Sequence, residues 1–145
     1  MPDLVFTEGG DIDVAHDVIV GRYALSVLKL IRTNLALDRN TALADVLAAV
    51  AAYTGYADGV ITWLSTSRGD NGAIEVVGTI PEFRPTDAVA PEDIYGAGLV
   101  NAAGTVLQAV VSFGDPPLPM RSALNAILAT VRYRPAGGSL VVLVS

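Results

Sequence analysis

Few residues in this chain have the chemistry to do work by themselves. His16 is the only histidine. A serine–histidine–aspartate relay would need it, with Asp13 or Asp17 as the orienting carboxylate and a distant serine as nucleophile. No nucleophile-elbow pattern supplies that serine. A single histidine also rules out a histidine-rich metal site. Asp11, Asp13 and Asp17 begin like a calcium loop, but such a loop needs glycine at its sixth position and glutamate at its twelfth. Here those positions hold His16 and Arg22, which reads as a solvated acidic turn. Glu8, Glu75, Glu82 and Glu92 are the only glutamates, and their spacing pairs no two of them as a glycosidase requires. Arg68-Gly69-Asp70 spells an adhesion tripeptide, yet Gly-Asp-Asn-Gly is ordinary turn chemistry. Gly96-x-Gly98 and Gly137-Gly138 lack the strand–loop–helix setting of a nucleotide fingerprint. The expectation is a protein with no catalytic, cofactor-binding or metal-ligating residues.

Composition points the same way. The 145 residues suit one domain, and the formal net charge is −6. The nine Lys and Arg residues are scattered, so no basic stripe tracks a phosphate backbone and nucleic acid is not an expected partner. There is no cysteine, hence no disulfide and no thiolate zinc site. Hydrophobic residues make up 52% of the chain and the mean hydropathy is +0.49. A membrane helix would need about 20 mostly apolar residues. The stretch 42–53 is too short and carries Asp45, while 97–113 is interrupted by Asn101, Gly104, Thr105 and Gln108. Met1-Pro2-Asp3 lacks the basic start of a signal peptide. The apolar excess is therefore expected to be buried against other chains.

The elements that would position these residues are mostly strands. Residues 1–20 read as an extended N-terminal arm, with Leu4-Val5-Phe6 and Val18-Ile19-Val20 as short apolar patches around the Glu8–Asp11 turn. The remainder, 21–145, reads as one β-rich domain. Between Arg22 and Arg32 a helix competes with a strand, the strand being favoured in the second half, where Leu28, Leu30 and Arg32 share one side. Leu43, Val46, Leu47 and Val50 recur at helical spacing, predicting one helix over about 41–53, with Asp38, Asn40 or Thr41 as cap and Gly55 as terminator. Val60–Leu64 and 73–80 read as strands. Pro81, Pro85 and Pro91 mark a loop expected to stay out of any central ladder. Stretches 94–100 and 105–113 fit a hairpin around 101–104, and 124–133 and 139–144 fit another around 135–138, with a stiff Pro-rich connector at 115–119 between the hairpins. The wholly apolar Leu140–Val144 is expected in the middle of a sheet or covered on both faces. Short strands at steady intervals suggest a mainly β fold, a β-sandwich or jelly-roll-like arrangement.

Several segments, in order, resemble a group of small bacteriophage structural proteins. They are Leu28-Lys29-Leu30-Ile31-Arg32-Thr33-Asn34, then Tyr53-Thr54-Gly55-Tyr56-Ala57 followed by Trp63, then Ile94-Tyr95-Gly96, then Gly104-Thr105-Val106-Leu107 with Phe113 after it. The likeness spans about 28–133. Its motifs are short, so their order carries it. The alanine-rich stretch before Tyr53 and the N-terminal arm depart from the pattern. The resemblance implies a non-enzymatic virion protein: a capsid decoration (cement) protein, assembled in the host cytoplasm. It would sit on the head surface as a homo-oligomer, a trimer, bound to the major capsid protein. The arm would be its clamp, and Tyr53, Gly55, Tyr56, Trp63, Tyr95 and Gly96 its structural motif. A tail or fibre-adaptor protein is the alternative, as is a receptor- or carbohydrate-binding module built around Trp63. No membrane partner is implied.

Overall fold

Alternating burial starts the first strand, β1 (Val27–Ile31), with Leu28 and Leu30 buried on one side. The computed structural model describes residues 4, 7, 16–21, 23–68, 74–86, 92–113, 117–120, 124–134 and 137–144, with backbone alone at 65, 68, 133, 134 and 137–144. A helix, α1, covers 16–21. After β1 come α2 (Leu43–Ala48), β2 (Gly59–Val60), β3 (Thr62–Arg68), β4 (Ile74–Phe83), β5 (Glu92–Ile94) and β6 (Gly96–Val100). The chain continues through β7 (Leu107–Ser112), β8 (Leu118–Met120), β9 (Ile127–Arg134) and β10 (Gly137–Val144).

These strands build two four-stranded antiparallel sheets, ordered β2-β1-β6-β7 and β10-β9-β4-β3, plus a two-stranded ribbon of β5 and β8. One core lies between the large sheets. Leu28, Leu30 and Ala97 enter it from the first sheet, Ile80 and Ile127 from the second, and Ile94 and Met120 from the ribbon. The architecture is mainly β and sandwich-like, as the turn spacing predicts. The chain changes sheets at Ile61, which is buried and donates its N–H to the Ser26 carbonyl at 2.9 Å. The Val60–Leu64 run is therefore divided between β2 and β3. A second, smaller core on the outer face of the first sheet holds Ile31, Val46 and Ala49, with Leu35, Leu37 and Leu107 against them. The first sheet is thus covered on both faces, and all five residues of β6 are buried.

Four expectations need correction. The helix spans Leu43–Ala48 rather than 41–53, and Ala42 at its N-cap makes no side-chain capping bond. The polar residues before it are committed to their own turn: Asp38 N–H donates to Thr41 Oγ1, and Asn40 N–H to Asp38 Oδ1. Beyond it the backbone joins β1, with Arg32 N–H donating to the Ala49 carbonyl and Ala51 N–H to that of Leu30. The arm is not extended throughout, since 16–21 is helical and Ile19 is buried. Pro81 lies inside β4, a central strand. Its missing donor is accommodated because pairing with β3 ends at Thr79 and the β9 register shifts between Ile80 and Phe83. Finally, of the two placements expected for 140–144 the central one does not hold, since β10 closes one end of its sheet order.

Candidate functional site

The expected motif residues fall in three places. Tyr53, Gly55 and Tyr56 form a brace between the sheets. The turn needs Gly55, whose φ is +88°. A Cβ there would lie 2.5 Å from Thr86 Cγ2 and 2.9 Å from Thr86 N, and Thr86 N–H donates to the Thr54 carbonyl. The turn thus docks on the segment after β4. It delivers two tyrosines whose rings meet edge to face at 5.3 Å and 77°. Tyr56 stacks on Phe83 of β4, 6.2 Å away at 12°. Its hydroxyl donates to Asp58 Oδ1 at 2.7 Å and accepts the Leu30 N–H at 3.1 Å. Asp58 Oδ2 in turn holds Lys29 Nζ at 2.6 Å. One side chain therefore ties the turn to β1 on one side and to β4 on the other.

Glu92 completes the brace. It accepts the Ala52 N–H at 2.7 Å and faces Arg32 at 3.8 Å. The Tyr53 hydroxyl is buried with no hydrogen-bond partner among the described residues. Burial, reinforced by the charge of Glu92, pushes its pKa up to about 12. Burial and the bond to Asp58 drive the Tyr56 pKa upward as well. Both phenols are neutral at physiological pH.

Trp63 lies elsewhere, on β3. Its indole N–H donates to the Tyr23 carbonyl at 3.0 Å, and its ring meets that of Tyr23 at 6.5 Å and 60°. The indole therefore anchors the chain after α1. His16 reaches the same strand, its Nδ1 lying 2.5 Å from Thr66 Oγ1. Tyr95 and Gly96 lead into β6. A Cβ on Gly96 would collide with the Leu37 side chain and the Val111 carbonyl, so this glycine permits close packing between strands and the covering loop. Of the arm, Leu4 is 82% and Val18 48% exposed, Ile19 is buried and Val20 half-buried. Val5, Phe6, Asp11, Asp13, Gly69 and Asp70 lie outside the described residues.

Sequence patterns missed Lys29, Glu92 and Phe83, because each comes from a distant part of the chain, and Asp58, which is two residues from Tyr56 but carries no local mark of its role. They also missed a cleft of about 410 Å³ beside β7, lined by Leu37, Asp38, Arg39 and Thr41 on one side and by residues 107–110 on the other. Among the described residues no group of His, Cys, Asp or Glu could hold a metal ion, and no helix is long and apolar enough to cross a membrane. Comparison with known proteins finds no matching family model, curated protein or solved structure.

Proposed function

We propose that this chain is a non-enzymatic structural protein of a bacteriophage particle: a capsid decoration (cement) protein that binds the head surface as a homo-oligomer and bridges neighbouring capsid subunits. The observation that carries an assembly role is the edge strand β10. It pairs with β9 along its whole length, Gly137 to Val144, and no described strand covers its other side. Its sequence contains no charge and no proline. Proteins that stay apart blunt such an edge with charges, bulges or coverings. The opposite edge, β3, has a register shift between Trp63 and Ser65, and its Trp63 and Thr66 side chains hold Tyr23 and His16 against the strand. An uncharged edge that no described strand pairs suits a protein whose edge is met by another chain. The ordered likeness to phage structural proteins supplies the particle, and the phenol brace supplies stiffness without chemistry.

In that role binding energy is the mechanism. Each subunit makes several contacts, and all must break together before it leaves. The test is immunogold labelling of intact phage particles with antibody raised against this chain. Label over the head surface is expected. Label confined to the tail would replace the capsid reading with the adaptor reading, and particles without label would overturn both.

A further inference from the structure

We infer that the cleft beside β7 receives the N-terminal arm of a second copy, residues 3–8, as an added strand. The inference rests on the assembly reading above and names a contact between copies on the sheet that does not hold β10.

Among the described residues β7 is the last strand of its sheet. Phe113 N–H donates to the Tyr95 carbonyl, and Ala97↔Val111 and Leu99↔Ala109 continue that pairing. Antiparallel alternation then turns the N–H and C=O of Val110 away from β6, toward the outer edge. The cleft lies along this strand, with Leu37 and Leu107 as apolar lining and Arg39 exposed beside them. Asp38 is committed to its own turn, whereas Arg39 has no ion-pair partner among the described residues. A strand edge beside an apolar groove is the arrangement that captures extended peptides: main-chain hydrogen bonds hold the peptide and alternate side chains select it.

The arm has matching chemistry. Leu4-Val5-Phe6-Thr7 is short, apolar and β-prone, and Asp3 and Glu8 flank it. Four extended residues span about 13 Å, as do four residues of β7. Residues 1–21 contain five carboxylates and no Lys or Arg, which complements Arg39. In the single chain Leu4 stands 82% exposed, so the arm does not bury it in its own cleft. A second copy can. Such a head-to-tail contact forms a ring if its rotation closes and a filament if it does not.

Complementation between two full-length variants tests this. Phe6→Asp spoils the arm and leaves the cleft, while Val110→Pro removes the outward N–H and leaves the arm. Sedimentation velocity should find wild type associated, each variant alone monomeric, and an equimolar mixture of the two restored to a heteromeric complex. Unchanged circular dichroism guards against misfolding, and Arg39→Glu replaces Val110→Pro if the proline variant does not fold. A peptide of residues 1–10 in excess should dissociate the wild-type complex. Association that survives both variants, or a mixture that stays monomeric, overturns the inference. Complementation without label on phage particles would sink the capsid reading alone, and labelled heads without complementation would sink the arm–cleft contact alone.

Discussion

Tyr53 and Tyr56 pack edge to face 5.3 Å apart, yet among the described residues only the Tyr56 hydroxyl has hydrogen-bond partners, accepting from Leu30 and donating to Asp58. The two phenols do opposite things for stability. An unpartnered buried hydroxyl costs its desolvation, while a paired one repays it. Tyr53→Phe should therefore be neutral or stabilising by up to about 1 kcal/mol. Tyr56→Phe should cost roughly 1–3 kcal/mol, because it leaves the Leu30 N–H without its acceptor and Asp58 Oδ1 without the phenol donor. Urea denaturation of both variants checks this; equal losses would mean that the Tyr53 hydroxyl has a partner after all.

Alkaline pH should unfold the protein through the same pair. The Tyr53 pKa is raised from 10.0 to about 12 by burial first and Glu92 second. The unfolded chain releases this proton before the folded one does, so the unfolded state binds fewer protons above pH 10 and stability falls as pH rises. The contribution is complete below the unfolded value of 10 and is lost by about 12, a change of roughly 2–3 kcal/mol. Denaturant midpoints measured from about pH 8 to about pH 12 should show this decline. Tyr53→Phe should flatten the decline, and Tyr56, whose pKa is also raised, should leave a remainder. A variant as alkali-sensitive as the parent would refute the assignment.

Two glycines in the left-handed region should respond differently to alanine. Gly55 has φ +88° and Thr86 within 2.5 Å of a Cβ position, whereas Gly104 has φ +74° and open space around it. Gly104→Ala should cost about 1 kcal/mol, from backbone conformation alone. Gly55→Ala should cost more, about 2–4 kcal/mol, since Thr86 must also move. Thermal melting ranks the two, and a reversed order would mean that the segment carrying Thr86 yields readily.

The chain after α1 should loosen when its anchors on β3 are removed. Trp63→Phe keeps an aromatic ring but deletes the bond to the Tyr23 carbonyl and part of the indole's packing on the core, a loss of about 1–3 kcal/mol. His16→Ala deletes the contact with Thr66. Hydrogen exchange should speed up in residues 16–26 in both variants, with the β4–β9 ladder unaffected. Unchanged exchange there would show that Ile19 alone seats the helix.

Much of the fold was legible because its signals are local. Leu28 and Leu30 alternate along β1. The β6–β7 hairpin announces itself at 101–104, where Asn101 Oδ1 accepts the N–H groups of Thr105 and Val106, and Gly104 takes a positive φ. The helix ends were not legible. Asp38 and Thr41 look like caps but serve the preceding turn, and the apolar period runs on through Val50, which bridges Ile31 instead. The brace was half legible. Its tyrosines and Gly55 sit within four residues of one another, while Lys29, Phe83 and Glu92 arrive from remote strands.

From the order of its residues alone, this chain is a cysteine-free, acidic, strand-rich protein with turns at set places. Period-two burial and left-handed glycines are properties of a few neighbouring residues, so they can be read in place. Strand order is of another kind. Whether an apolar strand such as β10 ends up central or at an edge depends on which distant ladders it competes with. Whether β7 lies beside a cleft depends on where the loop carrying Leu37 and Arg39 packs. Those choices belong to the balance of long-range burial and pairing across the whole chain, and no local pattern encodes them.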